Sequence, residues 1–205
     1  IRTLSAAQTV IVDQSQTARA RIANFSQFET VSASLNQVQF DEVTRQSLSD
    51  YSDIANGNAE LIVKDNELVL EESSQPGFDG NFKTVYIFSN ENDEGNQGTK
   101  SLGITDDRRS VVDRAIFSFA NGSSETIDLY AVEPGDGIDD QRPLLSDFGF
   151  GASGTLEVLV RPSDLIVANQ ESSETLGVLS VDFVPGQSFT VIFDSSGNLN
   201  LEVSP

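Results

Sequence analysis

Residues 49–70, SDYSDIANGNAELIVKDNELVL, read against residues 146–167, SDFGFGASGTLEVLVRPSDLIV. At a constant offset of 97 positions Ser, Asp, Ala, Gly, Glu, Val and Leu match outright, while Tyr51 faces Phe148 and Lys64 faces Arg161. The same offset pairs Asn24 with Asn121, inside RIANFSQFETVSASL and FSFANGSSETIDLY. After a nine-residue difference in length the register resumes, with Gly80, Thr84 and Val85 meeting Gly186, Thr190 and Val191. A unit of roughly a hundred residues therefore occurs twice, the size of a domain rather than of a solenoid repeat.

Within the quoted stretch, ELIVKDNELVL is two β-branched runs about Asp65-Asn66, a loop of hairpin chemistry. Working outward, the first unit reads as short strands at 19–23, 30–35, 38–43, 59–64, 67–72 and 83–89, with turn signals at Asn56-Gly57, Pro76-Gly77 and Asp79-Gly80. The second reads as strands at 114–119, 126–132, 155–161, 165–168, 178–183, 189–194 and 199–203. No window sustains helical periodicity for three turns, and 47–54 allows one helical turn at most. Residues 90–110, acidic and Gly-rich, read as an exposed loop and hinge between the units. Short strands at regular spacing without helices predict an all-β chain of two tandem immunoglobulin-like antiparallel β-sandwich domains. Their expected bounds are 1–107, with an extra N-terminal strand, and 110–205.

Composition narrows the chemistry. The net charge is −20, from 32 acidic and 12 basic residues, which disfavours nucleic acid and anionic membrane as partners. Cys, His, Met and Trp are absent. That removes disulfides, zinc, copper and haem ligation and the usual nucleophilic triads, so no enzyme is expected. Only metals that take oxygen ligands remain. Calcium is the candidate cofactor, at Glu91, Asp93 and Glu94 or at Glu133, Asp136, Asp139 and Asp140, although neither loop has the full twelve-residue EF-hand spacing. No stretch approaches the ~20 apolar residues of a membrane span. A chain starting at Ile1 fits an exported protein freed of its signal peptide, hence a secreted, extracellular or cell-surface location.

Three further features carry alternatives. Thr9, Val10, Ile11 and Val12 form a short β-branched run without a hairpin partner. It is either an edge strand of its own domain or a strand donated to another copy of the chain. Asn24-Phe25-Ser26 and Asn121-Gly122-Ser123 are N-glycosylation sequons at the same place in each unit, or else Asn residues chosen for turn geometry. Asp50-Tyr51 and Asp147-Phe148 recur as either a repeated ligand site or a core aromatic beside a turn-capping Asp.

Ala18, Arg19, Arg21 and Asn24, then Thr30 to Leu35, then Gly186, Phe189, Thr190 and Val191 form a pattern that resembles a secreted bacterial family, the domain of unknown function 4397. Phe117 stands in for the inner Arg in the second unit, and Lys83 stands where the first unit should carry the aromatic. The resemblance implies a secreted or surface-attached sandwich, often in tandem, and supplies no catalytic residues. The expected function is a non-enzymatic extracellular structural protein that self-associates into a surface fibre or layer. The alternative is a calcium-stabilised module binding a surface glycan or protein.

Overall fold

The computed structural model describes residues 17–91, 97–107 and 111–204, and within them the chain is all-β. The first unit contains β1 (Ala18–Phe25), β2 (Thr30–Leu35), β3 (Val38–Thr44), β4 (Ser47–Leu48), β5 (Ser52–Ile54), β6 (Gly57–Asp65), β7 (Leu68–Phe78), β8 (Phe82–Glu91) and β9 (Gln97–Thr105). The second contains β10 (Arg114–Asn121), β11 (Ile127–Val132), β12 (Leu145–Phe148), β13 (Ser153–Leu159), β14 (Pro162–Asn169), β15 (Thr175–Asp182), β16 (Ser188–Phe193) and β17 (Leu199–Ser204).

Each unit is a pair of sheets in the same order. Unit one packs β4-β1-β8-β9, with β5 also on β1, against β3-β2-β6-β7. Unit two packs β13-β10-β16-β17 against β12-β11-β14-β15. All pairings are antiparallel except β1 with β8 and β10 with β16, which are parallel because a whole turn of the sandwich separates them in sequence.

Alternation places the cores. On β6, Ala59, Leu61 and Val63 point inward and join Ile22, Leu35, Val85 and Ile87 in the first core. Phe117, Phe119, Leu129, Val167, Val191 and Phe193 build the second. A third cluster, Ala23, Tyr86, Phe88, Ile104, Ala120 and Ile192, lies between the sandwiches. The molecule is thus four stacked sheets, with the sheets of β1 and β10 innermost. Their central strands are buried on both faces, so runs without regular polar alternation appear there, TVYIF at Thr84–Phe88 and AIFSFA at Ala115–Ala120.

Four expectations change. Within the expected 90–110 hinge, Gln97–Thr105 is β9, hydrogen-bonded along β8 from Lys83↔Thr105 to Glu91↔Gln97, with Ile104 buried in the inter-sandwich cluster. The 47–54 segment forms β4 and β5 on the edge of β1 rather than a helical turn. Residues 145–148, absent from the expected strands, pair with β11. Finally, the offset of 97 holds for Asn24 and Asn121 but fails for the quoted stretch. It would match β6 with β13, whereas β6 borders β2 as β14 borders β11, setting Leu61 and Val63 against Leu165 and Val167. Two apolar strands separated by a polar turn resemble the next such pair, whichever sheet holds them.

Candidate functional site

The junction between the sandwiches holds a partly buried polar network that links the two units. β1 alternates, sending Ala20 and Ile22 into the first core and Arg21 and Ala23 to the opposite face. Arg21 Nε donates to Thr84 Oγ1 at 2.8 Å, and its guanidinium lies 4.7 Å from the Tyr51 ring centre. Its terminal nitrogen binds Glu202 on β17 of the other unit. The Tyr86 hydroxyl donates to the second oxygen of Glu202 at 3.2 Å. Thr84 and Tyr51 both donate to Asp106 Oδ2, at 2.8 and 2.7 Å. Burial works against the Arg21 charge, but Glu202, Tyr51 and Asp106 together more than restore it and the pKa is raised. Burial, with Glu202 beside it, also holds the Tyr86 phenol well above its ordinary range. Arg21, the one cation of the group, is paired with Glu202, and Asp106 is held by the Thr84 and Tyr51 hydroxyls. Such a network fastens strands of the two units together.

Beside the network the packing is close. Phe88 stacks 6.5 Å from Tyr86 and meets Phe150 of unit two edge-on at 6.4 Å. It also covers Gly122 so tightly that a Cβ there would lie 2.1 Å from the ring. Lys100 Nζ sits 4.8 Å over Phe150. At one end the junction opens as a groove of about 500 Å³ lined by Gln27, Ser89, Asn90, Gln97, Ser124 and Phe150 among others.

The residues singled out from sequence fall elsewhere. Asn24 is fully buried. Its Nδ2 donates to Phe28 O and Val43 O at 3.2 and 3.0 Å, and its Oδ1 accepts from Ser26 N and Oγ at 3.1 and 2.7 Å. Asn121 repeats this with Glu125 O, Phe148 O and Ser123. A sugar on either nitrogen would take one of its two N–H donors and need space that the buried side chain lacks, which favours the structural reading over glycosylation. Each Asn ties a strand end to two loops.

Glu133, Asp136, Asp139 and Asp140 lie exposed in the loop between β11 and β12, held by Asp136 N to Glu133 O at 3.0 Å and by Gly135 N to Asp164 Oδ2 at 2.8 Å. Among the described residues no three carboxylates gather at a spacing that could hold a metal ion. Glu91 ends β8, while Asp93 and Glu94 lie outside the described residues, as do Thr9, Val10, Ile11 and Val12. Tyr51 and Phe148 are not counterparts: Tyr51 belongs to the junction, and Phe148 packs on the second core beside Phe119. Among the described residues no helix is long and apolar enough to cross a membrane.

The sequence signal for the junction was present in Thr84–Phe88 and Ala115–Ala120, mostly apolar runs whose consecutive large side chains demand cover on both faces. The covering partner, the other unit, could not be read from either run alone.

No family model and no curated protein matches the chain. Among solved structures, it is similar to the crystal structure of CBMbc (family CBM26) from Eubacterium rectale Amy13K in complex with maltoheptaose, at 12% identity over 91% of this chain and 97% of that one, with a TM-score of 0.28. At that score the likeness adds nothing to the reading of the site.

Proposed function

We propose that the chain is a non-enzymatic extracellular structural protein, a self-associating subunit of a surface fibre or layer. The observation that carries this reading is the apolar cluster between the sandwiches. Contacts between domains of one chain are usually polar enough to permit relative motion. Here Tyr86, Phe88, Ile104, Ala120 and Ile192 are buried together, and Arg21 is tied to Glu202. A unit whose halves cannot swivel transmits the angle set at one contact to the next, which an ordered assembly requires. The absence of His and Cys leaves the usual nucleophile chemistry without its residues. Light scattering over rising concentration, followed by negative-stain microscopy, tests the reading. Ordered polymers are expected, and a monodisperse monomer throughout would overturn it.

A second reading, binding of a neutral surface glycan, is favoured by the junction groove. Its lining of amide and hydroxyl side chains with one aromatic ring suits a ligand rich in hydroxyls. Calorimetric titration with neutral oligosaccharides, wild type against Phe150→Ala, distinguishes the two readings.

A further inference from the structure

The same side of the sandwich is closed in unit one and open in unit two. In unit one β7 and β9 face each other across the two sheets and are clasped. Glu71 Oε1 accepts from Ser101 N and Oγ at 3.1 and 2.6 Å, and Gln75 Nε2 donates to Ser101 Oγ at 2.7 Å. Gly98 comes so close that a Cβ there would lie 3.2 Å from Leu70 O. The corresponding strands of unit two are β15 and β17. They meet where Leu199 lies against Gly177, and their polar side chains turn elsewhere: Ser180 donates to Asp164 at 2.6 Å and Asn200 to Asp194 at 2.9 Å.

Beyond Leu199 the apolar side of β17 continues uncovered. Leu201 and Val203 pair with Val191 and Phe189, both core residues, and therefore share the core-facing side. Yet they are 40% and 47% exposed. Free edges are usually protected by charge, proline or a bulge. β3 carries Asp41 and Glu42 with a bulge, β13 carries Glu157, and β9 carries Lys100. β17 has neither proline nor glycine, its pairing with β16 is regular, and its one charge, Glu202, lies on the opposite face bound to Arg21.

We infer that the open side of unit two, along β17, accepts a strand from a second copy of this chain, and that residues 9–12 supply it. The inference rests on the self-association reading above and names its contact. Thr9-Val10-Ile11-Val12 is uncharged and β-branched, the chemistry that covers Leu201 and Val203 while pairing with the free edge. Residues 13–16 join this run to Thr17, so Val12 reaches at most about 17 Å from Thr17 when the link is extended. Donor and acceptor lie in different units, so each added copy leaves one of each unused. A contact of that kind grows head to tail.

The test compares the full chain, its Leu201→Glu/Val203→Glu variant and a chain lacking residues 1–16, by light scattering with thermal melting as the folding control. The expected result is oligomers for the full chain and monomers of unchanged melting temperature for both others. The shortened chain should bind a labelled peptide of residues 6–14, and the double substitution should weaken that binding at least tenfold. Oligomers that persist in the double variant would overturn the β17 assignment while leaving self-association standing. A full chain that is monomeric at every concentration removes the self-association reading itself. Peptide binding by the shortened chain alone, with a monomeric full chain, would mean that the strand closes on its own molecule.

Discussion

Arg21 on β1 and Glu202 on β17 form an ion pair across 181 residues of sequence, fixing the first strand of one sandwich to the last strand of the other. Neither side chain is freely hydrated. Removing one partner leaves the other buried, whereas replacing both with apolar groups of similar size does not. Glu202→Ala should therefore cost about 1–3 kcal/mol, and Arg21→Met with Glu202→Leu clearly less. Urea unfolding of the singles and the double completes the cycle. A double variant that costs the sum of the singles would mean the pair is not coupled.

Gly122 lies under the ring of Phe88, where a Cβ would need space the ring occupies. Gly122→Ala should destabilise the junction by about 1–3 kcal/mol through overpacking. Gly149→Ala is the matched control, since nothing lies within 4 Å of its added carbon. Thermal melting of the two should separate them, and equal melting temperatures would contradict the close approach.

Strand content was legible because it rests on local alternation. The run from Gly57 to Asp65 shows it, with Ala59, Leu61 and Val63 spaced by two and buried. The hairpin after it was legible to within one residue: Asp65 pairs with Leu68, so the loop is Asn66-Glu67. Which strand neighbours which was not legible. Apolar runs such as ELIVKD and EVLVRP look alike although β6 is central and β13 is an edge. The junction escaped for a related reason. Glu202 reads as a polar residue on an edge strand, and only the fold brings Arg21 to it. The hinge expectation failed at Gln97–Thr105 because its small polar residues are tolerated on an edge strand.

Asn24 and Asn121 hold equivalent strand ends with the same set of bonds, so their loss should cost the two units alike. Each Asn→Ala substitution strands two carbonyls and the following Ser hydroxyl, at about 2–4 kcal/mol. Denaturant titration measures this. Intact mass of the chain expressed in a glycosylating host should equal that of the bare polypeptide at both sites. A mass increase matching a glycan would contradict the buried placement.

The loop carrying Glu133, Asp136, Asp139 and Asp140 spreads its carboxylates into solvent rather than around a centre. Gathering them would set like charges together, and the ion would have to repay that repulsion. The melting temperature should therefore be the same in millimolar calcium and in chelator. A rise of several degrees in calcium would show that the loop closes on the ion.

Asp164 is the anchor of that loop, and its titration gives the acid limb of stability. The hydrogen bond from Ser180 first, then that from the Gly135 backbone, hold its carboxyl below the ordinary carboxylate range. A group whose pKa is depressed by folding stabilises the fold above its unfolded value. That contribution fades as pH falls through the folded value, because the unfolded chain binds the proton first. As the pH falls below about 4 the wild type should thus lose stability that Asp164→Asn no longer has to lose. Urea midpoints measured against pH for the two chains should converge toward the acid end. Amide exchange at Gly135 should accelerate in the variant at neutral pH, because the single uncharged oxygen of Asn must serve in place of the two carboxylate oxygens that accept from Gly135 and Ser180. Parallel pH curves for the two chains would place the acid sensitivity elsewhere.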